Sequence, residues 1–114
     1  MLLKWEGRKV NIHLIENVNN FARLKDNAWE SGWWVLDESK ALKLVGGEIY
    51  FHKKQQEPSF YGGTITGYRV EQNGQYEGRI VFAFEHSQSC RNVKTDKHGW
   101  SKKMKLIGLT ESGN

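Results

Sequence analysis

His86, Cys90 and His98 invite a chemical reading first. A cysteine near a histidine is the start of a nucleophile and base pair, which needs a thiolate, a positioned imidazole and a third group to orient it. One cysteine among four histidines raises that pattern by incidence, and the plainer reading of Cys90 is an unreactive small residue at a strand end. The same three residues with Asp96 would supply four metal ligands, but the ligands share a segment whose lysines repel a cation. Glu38-Ser39-Lys40 has the Glu-x-Lys spelling of many metal-dependent nucleases, yet it falls at a helix start with no partner acid on a neighbouring strand. No metal or cofactor is assigned. A metal-free ribonuclease needs a carboxylate base, an imidazole acid and a cation such as Arg79 at the phosphate. Glu85 and His86 are consecutive on a strand and face opposite ways, so Glu48 and His52, four residues apart, are the pair that shares a face. No catalytic residue is assigned, and binding is preferred over catalysis.

A denser signal is cationic. Between Cys90 and Lys105 the chain carries Arg91, Lys94, Lys97, Lys102, Lys103 and Lys105 against the single acid Asp96. That segment is +5 within a chain of +4, which leaves −1 for the remainder. It also holds Trp100, so phosphate donors stand beside a stacking surface, as contact with nucleic acid requires. The bland alternative is a solvated basic loop.

Aromatic residues extend the binding reading, for there are five Trp, five Phe and four Tyr. Trp33 and Trp34 are adjacent, so on a strand one faces the core and the other faces outward or into a cleft. Tyr50 and His52 share a side of the following strand, and Phe60, Tyr61 and Tyr68 lie near glycines that let a ligand approach the backbone. The expected base or ligand pocket is therefore Trp33, Trp34, His52, Tyr61, Tyr68 and Trp100. The expected phosphate contacts are Arg91, Lys94, Lys97, Lys102 and Lys103. Phe21, Trp29, Phe51, Phe82 and Phe84 belong to the core by their phase.

The elements that must position these groups follow from periodicity and turn chemistry. Val10, Ile12 and Leu14 alternate with Asn11 and His13, which predicts a half-buried strand over Arg8 to Glu16. Over Asn17 to Glu30 the residues Phe21, Leu24, Ala28 and Trp29 fall on one helical face, with Asn17, Asn19 or Asn20 as cap, which predicts an amphipathic helix. Trp33 to Leu36 reads as a strand, and Asp37 to Val45 as a second, short helix stopped by Gly46 and Gly47. Glu48 to Lys54 alternates again. Pro58 makes its surroundings a loop. Phe60 to Val70 is a strand whose glycines imply a bulge or bend. Asn73-Gly74 signals a hairpin to Arg79 to Glu85, with Ile80, Phe82 and Phe84 inward. Met104 to Leu109 is a last strand before a polar tail, Glu111 to Asn114.

A chain of 114 residues has room for one domain, 1–114, because halves of it would each be too small to bury a core unaided. The hydrophobic fraction of 38% and charged fraction of 26% fit a folded protein, not a disordered tail. No apolar run is long enough to span a membrane, and the first nine residues are interrupted by charges, so the expectation is a cytoplasmic protein without a leader or membrane partner. A lone cysteine excludes an internal disulfide framework. The order of elements implies an α+β domain: a small curved mixed sheet or partly closed β-barrel, with the amphipathic helix and the short helix at its ends.

Trp33-Trp34-Val35-Leu36, a short helix, Gly46-Gly47-Glu48-Ile49-Tyr50-Phe51-His52, a loop, and Gly63-Thr64-Ile65-Thr66-Gly67-Tyr68-Arg69 together resemble the central pattern of the PUA-like superfamily, especially its EVE and ASCH branches. The resemblance covers residues 32–70. It implies a pseudobarrel that binds RNA or accommodates a modified base, flipped from DNA, in an aromatic-lined pocket, with Trp33 or Trp34, His52 and Tyr68 near that pocket. The Gly-x-Lys-x-x-Glu signature associated with ASCH domains is not found, so no amidohydrolase activity is carried over. The chain is also shorter than EVE domains usually are. The leading reading is a non-enzymatic nucleic-acid-binding module, for RNA or DNA, with or without a modified base. A protein-interaction domain with an exposed aromatic patch, as a homodimer or with another protein, and a small metal-independent ribonuclease are the alternatives.

Overall fold

The computed structural model describes residues 9–18 and 20–108. The first eight residues, Asn19 among the candidate caps, Leu109 and the polar tail lie outside the described residues. In chain order the elements are β1 (Asn11–Ile15), β2 (Phe21–Lys25), β3 (Ala28–Trp34), α1 (Glu38–Leu44), β4 (Glu48–His52), β5 (Tyr61–Val70), β6 (Ile80–His86) and β7 (Met104–Ile107). They form one mixed sheet in the order β2-β3-β6-β5-β4-β1-β7. β1 runs parallel to β4, and every other neighbouring pair is antiparallel. The α+β class is as expected. The sheet is not closed into a barrel, because its edges are β2 and β7.

The expected amphipathic helix over Asn17 to Glu30 is replaced by a β2–β3 hairpin. Asp26 adopts a positive φ of 49°, and the Asp26-Asn27 pair turns the chain so that Lys25 meets Ala28. Asp and Asn tolerate that conformation and favour turns over helix interiors. The apolar spacing fits both periods, and pairing of β3 with β6 decides between them: Trp29 faces Phe84 and Ser31 faces Phe82, while Leu24 is left 52% exposed. The strand expected over Trp33 to Leu36 is the end of this longer β3, which stops at Trp34.

Elsewhere the local signals hold. Asp37 caps the start of α1 by position, Gly46 follows its end at φ 94°, and the helix buries Ala41 and Leu44. β5 and β6 form the hairpin through a longer connection that includes a 3-10 turn over Gly74–Tyr76. β5 carries its irregularity between Ile65 and Gly67.

The sheet curls strongly. Phe21 on β2 meets Phe51 on β4 edge to face, with ring centroids 4.8 Å apart, although β3, β6 and β5 lie between them in the sheet. Such a contact requires the concave face to fold over on itself, which the bulges between β3 and β6 and between β5 and β6 assist. Ile12, Leu14, Ile49, Phe51, Ile65, Phe82 and Phe84 fill that face with α1, each contributing about 1.5–3 kcal/mol on full burial.

The opposite face carries a polar row. Lys105 pairs with His13, His13 with Tyr50, and Tyr50 with Gly62. At Gly62 a Cβ would lie 2.2 Å from the Ile49 carbonyl oxygen and 2.9 Å from Cys90 Cβ, so both the neighbouring strand and the start of the basic segment require glycine here. At Gly63 a Cβ would fall 1.9 Å from the Glu85 carbonyl oxygen, whereas at Gly67 it meets nothing within 4 Å. Gly63→Ala is therefore expected to lower stability by about 2 kcal/mol or more through overpacking. Gly67→Ala is expected to be neutral or to stabilise by up to about 1 kcal/mol, and urea unfolding of both variants checks the contrast.

Candidate functional site

The basic segment reaches the site by a pinned path. Ser59, buried, receives it: its hydroxyl donates to the Cys90 carbonyl at 2.7 Å and accepts from Val93 N at 2.9 Å. Ser59 N donates to Val93 O, and Asn92 N to Ser59 O. Further on, Lys105 is buried, and its ammonium donates to both the backbone and side-chain oxygens of Asp96, at 2.9 Å each. That pair removes Lys105 from the surface charge and leaves Arg91, Lys94, Lys97, Lys102 and Lys103 exposed.

Lys102 and Lys103 form the tip of a tight turn. Ser101 and Met104 exchange backbone hydrogen bonds across it at 2.7 and 3.1 Å, and Ile15 N holds the Lys103 carbonyl at 2.9 Å. Lys102 itself has φ 57°. The turn forms one wall of a cleft of about 970 Å³ whose other walls are Trp33 to Leu36 at and beyond the end of β3, Lys40 on α1, Tyr76 and Arg79 between β5 and β6, and Ile15 to Val18 at and beyond the end of β1. Its size lies within the roughly 300–1,000 Å³ range of ligand pockets.

Inside the cleft the aromatic faces are organised. Trp33 stacks on Tyr76 with centroids 4.5 Å apart and planes at 12°, and the Arg79 guanidinium lies 5.3 Å from the Tyr76 centroid. The Trp33 indole N–H donates to Glu71 Oε1 at 2.9 Å and that of Trp34 to Ser31 Oγ at 3.0 Å. With those donors engaged, the two indoles offer ring surface rather than directional hydrogen bonds. Trp33 and Trp34 are both half-buried and both line the cleft, and the expected division holds in that Trp34 packs against the core while Trp33 stacks on Tyr76. Glu16 is the acid among the lining residues. It is 2% exposed, and its carboxylate accepts from Val18 N and Asn20 N.

His52 and Trp100 belong to a different place, the polar row behind the sheet. His52 is fully buried. Its Nδ1 sits 2.8 Å from the Glu57 carbonyl, which can only accept, so Nδ1 carries the proton and Nε2 accepts. His13 Nδ1, 2.8 Å from that Nε2, must then be a donor. Tyr50 stacks on His13 at 4.5 Å and donates to Glu48 Oε1 at 2.6 Å. Trp100 stands edge-on to His52 at 5.6 Å and to His13 at 6.3 Å, closing the row beneath the segment. Glu48 and His52, the shared-face pair, are thus each engaged by other groups.

The remaining expected residues are dispersed. Tyr68 packs against the core and donates to Glu38 Oε2 at 2.8 Å. Tyr61 stacks on His86 at 4.5 Å, with Arg91 over it at 5.0 Å. Lys94 and Lys97 are exposed and do not line the cleft. Cys90 is buried with Sγ directed at the Gly63 carbonyl, 3.7 Å away. Burial, with Glu48 nearby, pushes its thiol up to about 11, where thiolate is scarce at neutral pH. Among the described residues no cluster of three or more His, Cys, Asp or Glu is placed to hold a metal ion, and no helix is long and apolar enough to cross a membrane. Sequence reasoning missed Tyr76 in the cleft and His13 behind it, and it weighed Arg79 as the cation of a ribonuclease and Lys40 as part of a Glu-x-Lys spelling without placing either in the pocket. Tyr76 and Arg79 follow the Asn73-Gly74 signal directly, and that connection could have been read as functional; His13 gives no local sign of its partner.

No family model, curated protein or solved structure matches this chain.

Burial, then His52 and Lys105, lower the His13 pKa from an ordinary 6.5 to about 4. His52 is also lowered, by burial first and by Lys105, against an upward pull from the Glu57 carbonyl. Unfolded imidazoles therefore take up protons before the folded ones do, and stability present above about pH 6.5 is lost as pH falls toward about 4. Urea midpoints measured at several pH values across that window should decline, and His13→Gln should flatten the decline.

Proposed function

We propose that the protein is a non-enzymatic nucleic-acid-binding module whose cleft seats a base on indole surface while the rim holds phosphates. The observation that carries this reading is the cleft itself: Trp33, Trp34 and Tyr76 gathered with Lys40, Arg79, Lys102 and Lys103, its lining acid Glu16 buried and occupied by backbone donors. Ring faces without free indole donors suit stacking, worth about 1–3 kcal/mol per base and tolerant of sequence. Cations at the rim add attraction to the backbone of RNA or DNA. The resemblance over residues 32–70 supports the same reading, and so does the curl that brings Phe21 onto Phe51. On this view the sheet is a partly closed, PUA-like pseudobarrel, with a modified base as one class of occupant and a cytoplasmic setting.

A protein partner is the second reading, favoured by Val18 and Val35, which line the cleft while 67% and 74% exposed. Exposed apolar side chains at a cleft mouth suit a protein surface as well as a base.

Titration of fluorescent single-stranded oligonucleotides separates the two. If Lys40, Arg79, Lys102 and Lys103 each neutralise a phosphate, affinity should fall about 50-fold between about 50 and 200 mM salt. Lys102→Ala and Lys103→Ala should each reduce the salt slope by about 0.7. Trp33→Ala should weaken binding by roughly tenfold at both salts with the slope unchanged, as loss of stacking predicts. Absence of binding at either salt overturns the proposal and favours the protein partner.

A further inference from the structure

We propose that Arg23 and Arg91, set around the stacked rings of Tyr61 and His86, form a second binding site, for the phosphate group of a nucleotide or of a nucleic-acid strand. This site lies at the start of β5, on residues that do not line the cleft. Tyr61 opens the ten-residue β5, whereas Tyr76 and Arg79, one wall of the cleft, follow the far end of that strand, which is roughly 30 Å long.

Two arginines lie on this face, and the guanidinium group of each is oriented by a hydrogen bond. Arg91 lies 5.0 Å from the Tyr61 centroid, and its Nε donates to His86 Nε2 at 3.1 Å. Arg23 pairs with Trp29 across β2 and β3, and Trp29 stands edge-on to Tyr61 at 5.8 Å, which puts Arg23 on the same face. Its Nε donates to the Asp26 carbonyl at 2.9 Å. The turn that carries Asp26 is fastened beside His86, because Asn27 Nδ2 donates to His86 O at 2.8 Å and His86 N donates to Asn27 O at 3.0 Å. The Tyr61 hydroxyl senses both cations, which oppose the upward pull of its burial.

The contrast with Arg69 shows what the two arginines lack. Arg69 is ion-paired to Glu30 and to Glu71. Arg23 and Arg91 have no carboxylate partner among the described residues, and each engages Nε alone in the hydrogen bonds above. The terminal N–H groups of two fixed forks are left for a ligand. A tetrahedral oxyanion satisfies such forks by charge-assisted, bidentate hydrogen bonds, and the flat Tyr61 and His86 pair offers a surface for an attached base. Neither arginine lines the cleft, so the proposal does not require the cleft to bind anything.

The test is NMR titration of the full chain with inorganic phosphate, adenosine 5′-monophosphate and a short single-stranded oligonucleotide. The expected result is saturable shifts of the His86 imidazole and the Arg23 and Arg91 Nε–H signals, weakened about tenfold by Arg91→Ala or by Arg23→Ala, as loss of a charge-assisted hydrogen bond predicts. Arg91→Lys should weaken binding too, since an ammonium cannot replace the fork. Trp33→Ala should leave these shifts intact while weakening the binding read from those of the cleft by roughly tenfold. Response to phosphate and the mononucleotide assigns the site to free nucleotides, and response to the oligonucleotide alone assigns it to a strand. No saturable shift with any probe, or shifts unchanged in the folded Arg23→Ala/Arg91→Ala double variant, overturns the proposal.

Discussion

The parallel pairing of β1 with β4 is the constraint on which the rest of the molecule depends. It joins residues 11–15 to residues 48–52 in register, Ile12 with Ile49 through Ile15 with His52. On the inner face this brings Ile12 and Leu14 beside Ile49 and Phe51, the centre of the core. On the outer face it brings His13 beside Tyr50 and within hydrogen-bond reach of His52. A slip of one residue would exchange these faces, setting imidazoles among phenyl rings and isoleucines in the polar row. β7 then adds to the free side of β1, and the turn before it presents Lys102 and Lys103 to the cleft.

The basic segment is consequently both a cover and a contact. Its inner residues seal the polar row: Cys90 over Gly62, Trp100 over the histidine pair, Lys105 on Asp96. Its outer residues project five cations. Buried imidazoles tolerate this neighbourhood only when neutral, since Lys105 already places a positive charge nearby. The hydrogen-bond direction is dictated by the Glu57 carbonyl and leads from His13 to His52 to that oxygen.

Much of the local architecture was legible from short-range signals. The capped helix at Glu38–Leu44, the alternation of β1 and β4, the bulged β5 and the hairpin into β6 each follow from periodicity and turn residues within about ten positions. The β2–β3 hairpin was not legible in the same way: Phe21, Leu24, Ala28 and Trp29 satisfy a helical face as well as a strand, and the weight of Asp26-Asn27 as a turn appears once β3 is paired with β6. Of the residues expected in the base pocket, Trp33 and Trp34 line one cleft, together with Lys102 and Lys103 from the expected phosphate contacts. His52, Tyr61, Tyr68, Trp100 and Arg91 are placed in other environments.

The sequence by itself determined that the chain has a single cysteine, an aromatic-rich core and a cationic segment between Cys90 and Lys105, because composition and local spacing are properties of neighbours along the chain. Tertiary structure alone decided which aromatics and cations meet. Strand order, the parallel β1–β4 register and the curl that folds Phe21 onto Phe51 join residues tens of positions apart, and such pairings are selected by burial of one face over the whole sheet rather than by any local preference. For that reason His52, which reads along its strand as an outward ligand group, is sealed beneath Trp100, while Tyr76, which reads as loop, and Arg79, which reads as the start of a strand, stand in the wall of the cleft.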